Sequence, residues 1–575
     1  MKFNKKLKKL DFLLKPLINK YILLFFLMII YTSFSLINPL LYSNIIKDLF
    51  SRDFSKCKID LIVLIIVSVF SIFFSYIANK FAIKMKNNLT YQIKILMYTR
   101  LINLHIKEFI NKSIGEFMSR INGDANIFSE SIVDKIPYLI IEMLKLILIF
   151  LIMTYINPYL AGIQLILIIV YIFIFKRFGK ILIKLNAQLK YLYDKYFSIT
   201  QQGVRGIKDV KILGIKNIHI DDVKETCLKI NYKTVEIGKI SLLSNVCIES
   251  LNILQISIQI IIGSYLIYIN KLDINSFITF LLYSQQITSS INILTQANGI
   301  ISRMIVSLNR ILELLDEKIY EVEIFGDEKI NSNITDIEFC NVSFSYNNRK
   351  KILDNINFKI DKKSKIAIVG KSGEGKSTIL NLITKLYSPD EGLIKINNIN
   401  INNISEKEIR DKISVVNQEP FLFNKTIKEN FLMVNSNAKE KDIIQACKEA
   451  HIYNFIKNLP KGLDTIVGEN GANLSVGQKQ RLAIARILIK ECNIILLDEI
   501  TSSLDNESQF FINKTIQSLS KKYTIITVTH KISNITNYDK ILILNNKKIE
   551  DIGTHTELMI RNSLYKNLYQ KELNN

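Results

Sequence analysis

The feature that most restricts this chain is a set of long apolar runs confined to roughly its first three hundred residues. Tyr21 to Ile46 contains no charged side chain, and Ile59 to Phe81, Ile136 to Ile156, Leu160 to Phe175, Ser241 to Ile269 and Ile274 to Ile301 approach the same character. A helix needs about 20 apolar residues to cross the hydrocarbon layer, and only a helix satisfies every backbone N–H and C=O within one such segment. The runs therefore predict a polytopic α-helical membrane domain of about six spans. The last run carries Gln285, Gln286, Ser289, Ser290 and Asn292. That polarity suits a water-filled cavity or the bundle interior better than lipid.

Charge is arranged to match. The formal net charge of +23 raises nucleic acid as a partner. However, the excess gathers beside the runs, at Lys2, Lys5, Lys6, Lys8 and Lys9, at Lys80, Lys84 and Lys86, and at Lys176, Arg177, Lys180 and Lys184. The positive-inside rule and attraction to anionic lipid account for this pattern with no nucleic-acid partner. Short connections near Asn157-Pro158 and Asn270 to Asp273 alternate with long basic ones at about 82–135 and 176–240. Both termini are thus expected in the cytoplasm, with helices extending well below the bilayer. The first run is too long for a signal-peptide core and is expected to stay in the membrane. The six cysteines form no C-x-x-C pair, so neither a zinc site nor a disulfide framework is expected.

The pattern changes after a polar linker, giving expected domains at 1–318 (membrane), 319–333 (linker) and 334–575. The last alternates short β-rich runs with amphipathic helices, an α/β arrangement. There KIAIV (Lys365 to Val369) runs directly into GKSGEGKST, Gly370 to Thr378, and then into a helical segment. This strand–loop–helix context marks a P-loop. Gly370, Gly373 and Gly375 let backbone amides turn toward phosphate oxygens, with Ser372 and Thr378 in the same loop. Lys376 is placed to reach the β- and γ-phosphates, and Ser377 to bind Mg2+. Downstream, IILLDE ends in Asp498, an expected Mg2+ ligand, and Glu499, an expected base for the attacking water.

Between them lies LSVGQ, Leu474 to Gln478, a piece that other P-loop families lack. With it, residues 334 to 560 resemble the nucleotide-binding domain of ABC transporters, and the whole chain resembles a half-transporter of the exporter type. The resemblance implies that Ser475, Gly477 and Gln478 contact the γ-phosphate of ATP held by a partner chain. It implies that Tyr346 stacks on adenine, that Gln418 links the Mg2+ site to the membrane domain, and that His530 senses the γ-phosphate. Ser502 to Asp505 matches the loop that crosses the dimer, and Thr465 to Glu469 the loop that meets the membrane domain. GEFMSRINGD is similar to the first coupling segment of exporters. FINKSIGEFMSRINGDANIF (Phe109 to Phe128) and GVRGIKDVKILGIKN (Gly203 to Asn217) are each expected to hold a Gly-containing turn and a short transverse helix, with Phe109 an apolar knob. Two positions depart from the family: Val476 replaces the usual Gly, a strained choice if the backbone there needs positive φ, and Ile500 stands where Ala is common.

The implied function is ATP-driven export or flipping of an amphipathic lipid, drug or peptide by alternating access in a membrane-embedded dimer. Intact Glu499 and His530 favour a homodimer, while Val476 leaves a heterodimer open. A soluble-type ABC ATPase and an ATP-gated channel are the competing classes. Within the spans, Lys145 lies three residues after Glu142 and can pair with it; either Lys145 or Glu249 is expected to line the substrate route, or else to serve an inter-helix contact. The Ile-, Lys- and Asn-rich, Trp-free composition suggests a bacterial cell membrane.

Overall fold

The computed structural model describes residues 11–110, 114–330, 336–346, 350–490, 492–501 and 504–573. Lys2 to Lys9, the linker end at 331–333, and Ser502 and Ser503 lie outside them. The chain forms two units, residues 1–102 with 114–319 and residues 103–113 with 320–575.

The first unit is helical. Among the described residues, five helices are long and apolar enough to cross a membrane: Asp11–Phe50, Phe54–Ile102, Ile114–Ile156, Pro158–Arg205 and Lys216–Tyr268. The sixth expected span is the helix Ile274–Thr295, too polar to count with them by hydropathy. It compensates by burial, placing Phe277, Phe280, Tyr283, Ile287 and Ile291 in the core of the bundle. Gln285, Ser289, Asn292 and, just beyond the helix end, Gln296 are exposed. Their spacing of four, three and four residues lays them along one face.

The connections near 157–158 and 270–273 are as short as the sequence implies. Asn157 alone separates two helices; its Oδ1 accepts from the N–H groups of Tyr159 and Leu160, both at 3.1 Å, and Pro158 occupies the first helical position. That combination starts a helix efficiently, because proline has no N–H to leave unpaired there. The segment 203–217 contains a short helix, Ile207–Ile212, bounded by Gly206 and by Gly214 at φ +69°. The expected turn in 109–128 takes another form: Gly123 lies in a π-helical stretch, Arg120–Asp124, of the helix leading into the third span.

Several polar groups in the spans are paired with one another. Glu142, buried, accepts a hydrogen bond from Ser290 Oγ at 2.7 Å and lies 3.9 Å from Lys145 Nζ. Gln259 Nε2 donates to Gln164 Oε1 at 2.8 Å and to Ser284 Oγ at 3.0 Å, and Gln255 Nε2 donates to the same hydroxyl. Such bonds contribute about 0.6 kcal/mol each in a bundle.

The second unit carries two sheets. Strands β1 (Ile337–Phe344), β2 (Leu353–Ile360), β4 (Glu391–Ile396) and β5 (Ile399–Asn400) form an antiparallel sheet in the order β2-β1-β4-β5. The other sheet has the order β10-β9-β3-β8-β7-β6, where β3 is Lys365–Gly370, β6 Ile413–Val416, β7 Ile494–Asp498, β8 Thr524–Val528, β9 Lys540–Asn545 and β10 Lys548–Gly553. All its pairings are parallel except β9 with β10. Its central strands are apolar on both faces, as a sheet covered on both sides requires.

Replacing Glu142 by Ala should strand the Lys145 ammonium inside a span at a cost of about 3 kcal/mol. Thermal unfolding in detergent should show a clear loss for Glu142→Ala and recovery in the double variant Glu142→Gln with Lys145→Leu.

Candidate functional site

The site begins with the end of β3. Gly370 passes so close to β9 that a Cβ there would lie 2.3 Å from the Leu544 carbonyl oxygen, and Gly373 and Gly375 hold φ of +82° and +101°. Only glycine adopts this path freely. The loop closes on the helix Lys376–Ile383, whose first N–H groups face the loop interior. Lys376 is almost fully buried; its Nζ donates to the carbonyls of Gly370 at 3.1 Å and Lys371 at 3.0 Å. Burial depresses its ammonium pKa. These two carbonyls hold the lysine head over the concavity that the glycines create.

Ser377 Oγ donates to Asp498 Oδ1 at 3.0 Å, joining the P-loop helix to the end of β7. Burial raises the Asp498 carboxyl above the usual range, and neighbouring Glu499 adds to the effect, while Ser377 opposes it. A hard divalent cation would reverse that balance, and a hydroxyl beside a carboxylate is a donor set that Mg2+ accepts. Among the described residues no cluster of His, Cys, Asp and Glu forms a metal site by itself.

Glu499 sits in the left-handed region at φ +47°, pinned by its N–H donating to the Val528 carbonyl at 2.9 Å. Left-handed backbone at a non-glycine residue costs roughly 1–3 kcal/mol and is characteristic of functional sites. Its Oε1 lies 2.9 Å from His530 Nε2, and the same nitrogen lies 3.2 Å from Lys376 Nζ. The two contacts exclude each other chemically: a protonated Nε2 donates to Glu499, and a bare Nε2 accepts from Lys376.

Tyr346 is anchored by its hydroxyl, 3.0 Å from Thr378 Oγ1 and 3.4 Å from Asn381 Nδ2. Its ring meets Tyr387 edge-on at 5.0 Å. Gln418 is exposed two residues beyond β6, the strand beside β7, and its carbonyl accepts from Gln480. The structure thus gathers Lys376, Ser377, Asp498, Glu499 and His530 at the carboxyl ends of β3, β7 and β8, with Tyr346 and Thr378 alongside. The signature residues stand apart. Among the described residues, no hydrogen bond joins Ser475, Gly477 or Gln478 to the P-loop.

Ser475 caps the helix Val476–Leu488 reciprocally with Gln478, accepting from its N–H at 3.3 Å while Gln478 Oε1 accepts from the Ser475 N–H at 2.9 Å. Val476 is the first residue of that helix, half exposed and with no positive φ, so the strain expected of a β-branched residue is not present. Gly477 is the restricted position: a Cβ there would lie 2.6 Å from Ser508 Oγ. Asp505 caps the following helix through the Ser508 N–H at 3.0 Å, which holds its carboxyl below the usual range. Ile500 is fully buried among apolar neighbours, a packing role. In the expected exporter loop, Val467 is buried, Ile466 is exposed and Gly468 holds φ +79°.

Two features lie outside the nucleotide motifs. Among the described residues, 103–110 cluster with the second unit, upstream of GEFMSRINGD: the His105 N–H donates to the Glu321 carbonyl at 2.8 Å, its ring meets Tyr387 at 5.5 Å, and Lys107 pairs with Glu321. Phe109 ends the short 3-10 helix of this segment, whereas Arg120, within GEFMSRINGD, pairs with Glu116 and Glu313 in the first unit. In that first unit a cavity of about 540 Å³ is lined by Glu249 among others; Lys145 is not among its lining residues.

Substituting Gly477→Ala should force Ser508 aside and lower the thermal stability of the chain by about 1–3 kcal/mol. Val476→Gly should change it by no more than about 1 kcal/mol, the two being compared by unfolding in detergent.

Comparison with known proteins bears on the family and the fold. The family model of the ABC transporter matches residues 353–502, and that of the ABC transporter transmembrane region matches residues 21–291. The chain is 31% identical to an export ATP-binding/permease protein of Rickettsia bellii, over 89% of this chain and 88% of the relative. It is 30% identical to a multidrug export ATP-binding/permease protein of Staphylococcus aureus, over 84% of each. Its fold is similar to that of a bacterial Atm1-family ABC exporter solved with ATP bound, with a TM-score of 0.83 and 23% identity, covering 97% of this chain and 99% of that one. A membrane unit fused to a P-loop unit bearing LSVGQ, and relatives matched along nearly their full length, lead to one assignment: the chain belongs to the ABC transporter family.

Proposed function

We propose that two copies of this chain, in a bacterial cell membrane with both termini cytoplasmic, hydrolyse MgATP to export an amphipathic molecule. The observation that carries this reading is the convergence of Lys376, Ser377, Asp498, Glu499 and His530 at the carboxyl ends of β3, β7 and β8, in a chain whose other unit holds long apolar helices.

On this reading Lys376 exchanges its two carbonyl contacts for phosphate oxygens, with the loop amides supplying further donors. Tyr346, fixed by Thr378 and packed on Tyr387, offers its ring to adenine. Ser377 and Asp498 would hold Mg2+, with Gln418 beside them; when bound, the ion neutralises charge on the phosphates. Glu499 takes the proton of the attacking water, and His530 holds its carboxylate in position. Ser475, Gly477 and Gln478, remote from their own P-loop, present a capped helix N-terminus to the γ-phosphate of the partner's nucleotide. Closure follows because the closed dimer contacts the γ-phosphate from both sides and the open one does not. The short helix Ile207–Ile212 and the following Leu213, with Ile212 and Leu213 exposed, supply an apolar surface for passing that motion to the spans. The unstrained Val476 favours two identical copies.

Glu499→Gln should retain ATP binding while steady-state hydrolysis in lipid nanodiscs falls about 100-fold or more; normal turnover would remove Glu499 as the base. Co-purified chains carrying Lys376→Ala and Ser475→Arg respectively should recover one intact composite site and measurable hydrolysis, while each variant alone stays inactive. No recovery on mixing would refute the shared site.

A further inference from the structure

The cavity in the first unit is built from three helices, each contributing one stripe. Phe175, Phe178 and Leu182 come from the fourth span and its extension, Asn245, Glu249 and Asn252 from the fifth, and Asn292 and Gln296 from the end of the sixth. The spacings of three, four and seven residues keep each set on one helix face. Glu249 is the only ionisable side chain among the lining residues. It lies about 12 Å along the helix from the start of its apolar run at Ser241, on the side where basic residues flank the spans. Among the described residues it makes no ion pair, in contrast to Glu142, which is met by Lys145 and Ser290. The amide side chains around it provide orientation and no countercharge. Asn252 is itself oriented, its Oδ1 accepting from the Tyr171 hydroxyl.

The Glu249 side chain is exposed in this cavity and has no ion-pair partner among the described residues, so its carboxylate is open to a cation from within a span. We propose that the cavity is a binding site for lipophilic cations, with the Glu249 carboxylate as counter-ion and Phe175 and Phe178 as the apolar wall. This rests on the export reading for its physiological meaning and names the substrate class. A cation that enters from the cytoplasmic side loses hydration and gains the single fixed negative charge of the lining. A lipophilic anion of the same shape meets repulsion from Glu249 and no basic group among the lining residues.

The test uses tetraphenylphosphonium and tetraphenylborate, close in size and shape and opposite in charge. Equilibrium binding of each to the full chain in nanodiscs is measured against empty nanodiscs. Saturable binding of the phosphonium is expected for the wild type, weakened about tenfold or more in Glu249→Gln and retained in Glu249→Asp, with the borate not competing. Phosphonium binding unchanged in Glu249→Gln, an absence of saturable phosphonium binding to the wild type, or equal competition by the borate would overturn the proposal. Hydrolysis is followed in the same samples: wild-type turnover that is lost in Glu499→Gln tests the export reading separately, since phosphonium binding needs no ATP.

Discussion

Everything at the nucleotide-gripping edge depends on the parallel register of three strands. Ile368 of β3 and Asp498 of β7 both stand opposite Val528 of β8. Because parallel strands reach their carboxyl ends side by side, the loops that follow them open into one crevice. The P-loop, Glu499 and His530 come from segments more than a hundred residues apart or on separate loops, and this register alone brings them within hydrogen-bond distance. A slip of one residue would turn every buried side chain of a strand to the opposite face, and would carry Asp498 away from Ser377 with it. The apolar packing of β3, β7 and β8 on both faces therefore sets the geometry of a polar site that lies beyond it.

The membrane unit solves a different problem with the same economy of polar groups. Its helices leave apolar faces outward, and several polar side chains are paired, Glu142 with Ser290 across helices and with Lys145 along its own, while others line the cavity of Glu249. The sixth helix separates the two uses by face. Its buried side carries Ser284 and Ser290, which bond to glutamines and to Glu142, and its exposed side carries Gln285, Ser289 and Asn292.

Much of the site was legible because its motifs are contiguous. Gly370 to Thr378 is a single loop whose glycine spacing has one mechanical explanation, and Asp498 and Glu499 end an apolar strand at a readable distance from it. Val476 was harder to judge, since a departure from a family pattern says nothing about local φ. The helix that begins at Val476 removes the concern, and the close approach of Ser508 shows that Gly477 is the glycine with a steric reason. The segment that belongs to the second unit, 103–113, overlaps the sequence reading of Phe109 to Phe128 only at its start. Its contacts to Glu321 and Tyr387 span more than two hundred residues of chain, and no local pattern encodes them.

The sequence by itself determined the class of each half: helices where runs of about 20 apolar residues leave the backbone no other way to satisfy its hydrogen bonds, and an α/β P-loop domain where glycine spacing, strand and helix adjoin. It determined the candidate ligands one by one, because their chemistry resides in residue type. Only the tertiary structure decided which of them meet. Glu499 against His530, Ser377 against Asp498, Glu142 against Ser290, and Glu249 in a cavity are all outcomes of packing between distant segments. Packing is governed by shape and register summed over many apolar contacts, and that sum is not a property of any short stretch of chain.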